Sequence, residues 1–142
     1  MNHTDPVKAF ARRVGMSDQE AELITPDDSR ARHIKRLAEA SSRYSIQAEV
    51  VSSVACNTGY RPGDRFVLDV DGNFISKLCP KRMCVYLVGQ LTVPVALINE
   101  RLSEGLDPNH FHFMRQVNCT DCGVESQGYG QVRLKVSVQA RA

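Results

Sequence analysis

The spacing of apolar residues along this 142-residue chain changes near residue 45. Before that point, Ile34, Leu37 and Ala38 lie three and four positions apart, which predicts an apolar stripe on a helix. After it, apolar and polar residues alternate in several segments, as they do on a strand with one buried face. The alternation is clearest in residues 131–140, where one face takes Val132, Leu134, Val136 and Val138. The pattern therefore predicts an α+β fold in which a helical part precedes a mainly antiparallel sheet.

The first part, residues 1–45, is predicted to be a helical N-terminal arm. Ser17 and Glu20 form a capping box, which favours a helix start after Gly15. Pro26 ends that helix, and a second helix is predicted over residues 27–44, where two aspartates suit its positive N-terminal end. Charged residues interleave with the apolar stripe of this second helix, so it reads as an amphipathic packing or docking element.

The second part, residues 46–142, is predicted to be a cysteine-rich α+β core domain. Its first strand, residues 45–55, carries one irregularity at Val50-Val51, and a hairpin turn is predicted at Asp71-Gly72. A strand is also predicted over residues 109–118, ahead of the final strand. The elements between these strands are two helices.

Both predicted helices of the core have recognisable start signals. The first starts with Cys79 as the N-cap and Pro80 at the first helical position, where the missing amide costs nothing. The second starts with Thr92 as the cap and ends at Gly105. If the first helix begins at Pro80, Cys84 lies about 140° around its axis from Cys79, and the two sulfurs do not converge.

Composition and charge exclude several classes of function. The hydrophobic content of 42% and the charged content of 24% are those of ordinary globular domains, and a net charge of +2 is too weak to favour nucleic-acid binding. No segment approaches the roughly 18 consecutive apolar residues of a membrane span, and the N-terminus lacks a secretory signal. We therefore expect a cytoplasmic protein with neither a nucleic-acid nor a membrane partner, and its thiols are expected to be reduced.

The candidate chemistry lies in five cysteines: Cys56, Cys79, Cys84, Cys119 and Cys122. Cys119 and Cys122 form the segment "CTDCG", in which two intervening residues let both thiolates reach one ion and Gly123 permits a tight turn. Cys79 is favoured as the third ligand because a helix N-terminus lowers the pKa of a thiol. Cys56, at a strand-to-loop boundary, and Cys84 remain alternatives for the fourth position. Each of these cysteines is alternatively a small buried apolar residue without a ligand.

Two histidines are further candidates. His110 and His112 share one face of the predicted strand, while Phe111 and Phe113 take the other. Such a pair binds a metal, but polar residues on the wet face of a strand explain it equally well. The glycine-containing loop after Cys122 leads into the final strand or presents backbone amides to a ligand.

The cysteine set suits zinc or an iron–sulfur cluster. The absence of a ferredoxin-like run of cysteines favours zinc, in a closed four-ligand site that stabilises the fold and has no open position for catalysis. The alternative is an iron–sulfur or thiol-dependent enzyme that uses Cys79 as a ligand or nucleophile. A third interpretation is an α+β domain with buried thiols and no ligand.

Residues 46–140 resemble a family of small prokaryotic proteins of uncharacterised activity. The resemblance rests on a cysteine before a G-D-x-F hairpin, then "LCP" at the start of a helix, then a cysteine next to an aspartate before the last strand. Here these are Cys56, "GDRF", "LCP" at residues 78–80 and the "DC" of "CTDCG". Cys84 and the doubled cysteines at 119 and 122 depart from the family pattern.

The size of the chain and its C-x2-C-G motif are also similar to the small zinc-bearing subunits of acetone and acetophenone carboxylases. That likeness implies a role as an accessory subunit. The sequence therefore predicts a small metal-binding subunit of a larger enzyme complex, with a larger enzyme subunit or a second copy of itself as partner.

Overall fold

The protein is described by a computed structural model over residues 5–141, so the first four residues of the predicted arm lie outside this range. The described part of the chain confirms the α+β prediction. Its helices are α1 (Pro6–Val14), α2 (Asp18–Glu22), α3 (Ser29–Ser41), α4 (Val85–Val88) and α5 (Thr92–Ser103). Its strands are β1 (Tyr44–Val54), β2 (Arg65–Leu68), β3 (Gln116–Asn118) and β4 (Gln131–Ala140).

The four strands form one antiparallel sheet in the order β2-β1-β4-β3. The long central strands β1 and β4 pair from Tyr44↔Ala140 to Val54↔Gln131. Their register shifts between Val50 and Ser52, which confirms the predicted irregularity and corresponds to a β-bulge. The alternation predicted for β4 is also confirmed, since its four apolar residues are buried.

Helices α3 and α5 pack against each other, and both contribute residues to the core that covers the sheet. The buried residues of α3 are Ile34, Leu37 and Ala40, whereas Ala38, which the predicted stripe included, is exposed. The ring of His33 hydrogen-bonds the side chain of Asn99, whose amide donates to the carbonyl of Val70 at 3.0 Å. This chain of contacts joins α3, α5 and the turn after β2.

The N-terminal helices start where capping residues predict. Ser17 accepts from the amide of Glu20 at 3.1 Å, and the carboxylate of Glu20 accepts from the amide of Ser17 at 3.0 Å. The capping box is therefore confirmed. Asp28 is the N-cap of α3 and accepts from the amide of Arg30 at 2.9 Å, so this helix begins at Ser29, two residues later than predicted.

The predicted helix start at Pro80 is wrong. Cys79 has extended backbone angles, as the residue before a proline usually does, and the segment up to Cys84 is irregular. Cys84, with extended backbone angles, is the N-cap of α4, which starts at Val85. The second predicted helix is confirmed as α5, but Thr92 is its first residue rather than its cap, because Leu91 takes the N-cap position. The helix ends at Ser103, and Gly105 follows it with a positive φ of 70°.

The hairpin predicted at Asp71-Gly72 and the strand predicted over residues 109–118 are both less regular than expected. After the turn at Asp71-Gly72, only Phe74 pairs with β2, through a single bridge to Leu68. In the segment 109–118, only β3 is regular, because Met114 has a positive φ of 61° and interrupts the alternation. Phe111 is buried but Phe113 is exposed, so the two rings do not share a buried face.

Candidate functional site: a cleft lined by three cysteines

A cleft of about 710 Å³ lies at the end of the sheet where β1 stops and β4 begins. Three of the five cysteines line it: Cys56 from the loop after β1, Cys84 from the start of α4, and Cys119 from the end of β3. All five cysteines are free thiols. Three segments that are far apart in the sequence therefore bring a thiol to one space, which we call the thiol cleft.

Cys56 is positioned by a sharp exit from β1. Ala55 has a positive φ of 48°, and the amide of Gly59 donates to the carbonyl of Cys56 at 3.1 Å, which closes a turn. Gly130 lies directly against this exit: a Cβ there would lie 2.2 Å from the carbonyl oxygens of Val54 and Ala55. Only glycine permits the approach, so the wall of the cleft depends on that residue.

Cys84 is positioned by a buried tyrosine. The hydroxyl of Tyr60, a residue only 5% exposed, accepts from the amide of Cys84 at 2.9 Å and donates to the carbonyl of Arg82 at 2.8 Å. Burial raises the pKa of Tyr60, so its hydroxyl remains a neutral donor. These two hydrogen bonds use backbone groups that a helix starting at Pro80 would have needed, and they account for the later start of α4.

Cys119 is positioned by β4. Its amide donates to the carbonyl of Val132 at 2.9 Å, and its sulfur accepts from the amide of Val132 at 3.2 Å. The next amide, of Thr120, donates to the carbonyl of Tyr86 at 3.3 Å. The sulfur thus lies between the end of the sheet and α4.

The loop between Cys119 and β4 is organised by Asp121. Its carboxylate accepts from the amides of Tyr129, Gly130 and Gly123 at 2.8, 2.9 and 3.2 Å. These hydrogen bonds, first those from Tyr129 and Gly130, hold the pKa of Asp121 below its usual range. Asp121 accepts hydrogen bonds from these amides, so this part of the loop does not present them to a ligand. Presentation to a ligand was one of the two alternatives that the sequence suggested for this loop.

Two aromatic side chains stand at the edge of the thiol cleft. Tyr86, on α4, is 66% exposed, and Tyr129, on the loop held by Asp121, is 80% exposed; both line the cleft. Tyrosine rings are common at surfaces that contact a ligand or a partner.

The other predicted site residues lie outside the thiol cleft. The sulfur of Cys79 lies 3.4 Å from both the backbone nitrogen and the oxygen of Val67 on β2. Cys122 is exposed, with its sulfur 3.8 Å from the carbonyl of Thr120. His110 and His112 are also exposed, and neither lines the cleft.

The three thiols share a space without forming a completed cage. Within residues 5–141, no group of three His, Cys, Asp or Glu side chains is already arranged to hold a metal ion. The chemistry of the three thiols nevertheless suits a soft ion, since three sulfurs and no histidine line the cleft. Metal binding would therefore have to draw the three loops together.

Two residues that build this site, Tyr60 and Asp121, were not predicted from the sequence. Nothing around Tyr60 in the sequence distinguishes it from an ordinary core tyrosine. Asp121 had a local signal, because an aspartate two residues before a glycine commonly accepts hydrogen bonds from the turn that follows.

No protein-family model, curated protein or solved structure matches this chain. The two resemblances suggested by the cysteine motifs therefore remain hypotheses. Between residues 5 and 141, no helix has the length and apolar character needed to cross a membrane.

Proposed function

We propose that this chain is a small zinc-binding protein that holds the ion through Cys56, Cys84 and Cys119 and serves as an accessory subunit of an enzyme complex. The observation that supports the proposal is the convergence of these three thiols on one cleft. Thiolates are favoured zinc ligands, and a ligand must be a free cysteine, as all five are. The ligand set proposed here omits Cys79 and Cys122, which lie elsewhere.

The donor chemistry fits zinc, while the geometry implies that binding reorganises the site. A preformed metal site is not expected in every metal-free protein, and binding energy then orders the ligand loops. Closure is expected to need side-chain rotation and small shifts of the three segments rather than a change in the sheet.

The surroundings of the cleft support the partner part of the proposal. Several large apolar side chains are exposed on the segments that form or flank its edge: Val54, Val85, Tyr86, Val124 and Tyr129. Such side chains favour contact with another protein, either a larger enzyme subunit or a second copy of this chain. The free thiols favour a reducing compartment, so we place the protein in the cytoplasm.

The test is metal analysis of the protein purified without oxygen, with serine variants of each cysteine. We expect about one zinc per chain, no iron or sulfide, and loss of most zinc in Cys56→Ser, Cys84→Ser and Cys119→Ser. Cys79→Ser and Cys122→Ser are the matched controls and should retain zinc. A protein that takes up no metal after reconstitution would overturn the proposal, and iron with sulfide would favour the iron–sulfur alternative.

The subunit role has a separate test. Size-exclusion chromatography with light scattering should show a mass above 15.8 kDa, either with a co-purifying subunit or as a homo-oligomer. A monomer at all accessible concentrations, with no companion, would contradict the partner part and leave the metal part standing.

A further inference from the structure

We infer that the thiol cleft reduces small disulfides that carry neutral aromatic or apolar groups, with Cys84 as the attacking thiol and Cys56 as the thiol that completes the exchange. No metal takes part in this reaction, so the inference goes beyond the proposed function and does not rest on it.

Two of the three cleft thiols have sulfurs that the protein does not already engage. Within residues 5–141, the hydrogen bonds made by sulfur atoms involve Cys79, Cys119 and Cys122. The sulfurs of Cys56 and Cys84 make none, and both residues are free thiols that are partly exposed. Cys119 is held by the backbone of β4, so the dithiol available for chemistry is Cys56 with Cys84.

Tyr60 links the two segments that carry this dithiol. The turn closed by the amide of Gly59 and the carbonyl of Cys56, at 3.1 Å, leads directly into Tyr60. The hydroxyl of the same tyrosine accepts from the amide of Cys84 at 2.9 Å. Ala55, directly before Cys56, has a positive φ of 48°, a costly conformation of the kind found at functional sites. The backbone thus brings both thiols to one wall of the cleft.

The cleft beside the dithiol selects for a neutral body. Its volume of about 710 Å³ lies within the range of roughly 300–1,000 Å³ that is usual for small-molecule sites. Leu87 and Val132 supply buried apolar walls, and Tyr86 and Tyr129 supply aromatic rings. Asp121 is the charged residue among those that line the cleft, and no lysine or arginine lines it. A negative charge without a compensating cation disfavours anionic disulfides.

The reaction is a two-step thiol–disulfide exchange. The thiolate of Cys84 attacks one sulfur of the small disulfide, a mixed disulfide forms, and the first half leaves as a thiolate that takes up a proton. We assign this attack to Cys84 because Tyr86, two residues further along the chain, supplies a ring for the bound molecule.

In the second step the thiolate of Cys56 attacks the sulfur of Cys84 and releases the second half. The two Cα atoms must then approach to roughly 4.4–6.8 Å, the distance that a disulfide requires. The protein has lost two electrons and two protons, and the small disulfide has become two thiols. A low-molecular-weight thiol in excess reduces the protein again and is itself oxidised to a disulfide.

The experiment uses the full chain, treated with a chelator, reduced, and then separated from the reductant without oxygen. One equivalent of 2,2′-dipyridyl disulfide, a neutral aromatic disulfide, is added, and the released 2-thiopyridone is followed by its absorption. The dianionic aromatic disulfide 5,5′-dithiobis(2-nitrobenzoate) is the charged control. Mass spectrometry of unreduced peptides assigns each disulfide that has formed, and the exposed Cys122 serves as an internal reference thiol.

With the neutral disulfide, we expect both of its halves to be released and a disulfide to be mapped to Cys56 and Cys84. Cys56→Ser should release only one half and keep the other on Cys84, whereas Cys84→Ser should lose the fast release. The rate at Cys84 relative to that at Cys122 should be about tenfold higher with the neutral disulfide than with the anionic one. Because the mapping uses the unchanged chain, it decides the question even if a variant fails to fold.

A stable mixed disulfide in the unchanged chain, or a protein disulfide that pairs Cys119 or Cys122 instead, overturns the inference. Equal relative rates with the neutral and the anionic disulfide also overturn it. A chain that binds zinc but forms no disulfide between Cys56 and Cys84 overturns this inference and leaves the proposed function standing. A chain that forms this disulfide but takes up no metal supports the inference and overturns the proposed function.

Discussion

The apolar core and the thiol cleft share the strands β1 and β4 but are held together in different ways. In the core, inward-facing residues such as Ile46, Leu134 and Ile98 are fully buried and pack against one another. In the cleft, position depends on a few backbone contacts made by Tyr60, Asp121 and Gly130. Packing therefore fixes the core, whereas hydrogen bonds shape the cleft. Regions held mainly by hydrogen bonds open locally at a lower free energy than a packed core does.

The largest effect is expected from a substitution in the apolar core. Ile98→Ala should lower the free energy of unfolding by about 2–5 kcal/mol, because it leaves a cavity at a side chain that is 0% exposed. Val93→Ala, on the same helix at 42% exposure, is the control and should change it by less than about 0.5 kcal/mol. Urea unfolding measures both. Equal effects in the two variants would mean that α5 is not packed as described.

A smaller effect is expected from the wall of the cleft. Gly130→Ala should cost about 1–3 kcal/mol, because the new methyl group would meet the carbonyl oxygens of Val54 and Ala55. Gly89→Ala is the matched control, since nothing lies within 4 Å of a Cβ there and its backbone is right-handed. The reaction rate of the cleft thiols with a chromogenic disulfide should rise only in the first variant. An unchanged rate would show that Gly130 does not support the cleft.

Tyr60→Phe tests how far the cleft depends on hydrogen bonds, since it removes one hydroxyl and retains the ring. We expect a loss of roughly 1–2 kcal/mol, from the unpaired amide of Cys84 and carbonyl of Arg82, and faster reaction of the Cys84 thiol. Urea unfolding and peptide mapping of the modified thiol measure the two effects. Tyr86→Phe, at an exposed ring, is the control and should change neither.

The same tyrosine gives a pH dependence whose direction follows from its pKa. Because the folded-state pKa of Tyr60 is raised above its unfolded value of about 10, its contribution to stability is complete below that pH. The contribution is lost as the pH rises from there through the folded-state pKa. Tyr60→Phe should therefore show a weaker alkaline loss of stability than the unchanged protein, and an equal loss would contradict the raised pKa.

The smallest effect is local to the loop before β4. Asp121→Asn replaces a carboxylate with a weaker acceptor, so the amides of Tyr129 and Gly130 should exchange with deuterium faster while the core amides do not. The lowered pKa of Asp121 means that its stabilising contribution is present above the unfolded value of about 3.9 and is lost as the pH falls through the folded-state pKa. If these two amides exchange at the same rate in Asp121→Asn and in the unchanged protein, the role of Asp121 is contradicted.

Features that depend on neighbouring residues in the sequence were predictable. The capping box at Ser17 and Glu20, the irregularity in β1 and the alternation of β4 all rest on local chemistry, and the structure confirms each of them. The same local reasoning went wrong at Pro80, where a good helix-start signal is outweighed by the distant hydroxyl of Tyr60.

The sequence predicted that cysteines form the candidate site, but it did not predict which of the five cysteines lie together. Spacing alone grouped Cys119 with Cys122, yet the structure places Cys119 in the cleft with Cys56 and Cys84. That grouping depends on which strands are neighbours in the sheet, since β4 brings the end of β3 beside the exit of β1. Sequence spacing carries no information about such long-range pairing.

The contact between Cys79 and Val67 has a consequence for self-association. Strand β2 lies at an edge of the sheet, where unpaired backbone groups invite pairing with a strand from another molecule. Here the outer groups of Val67 are occupied by the sulfur of Cys79 and by the amide of Ile75 at 2.8 Å. A thiol that the sequence suggested as a ligand thus contacts the backbone of an edge strand. Alkylating it should free the amide of Val67 and make the protein more prone to precipitate.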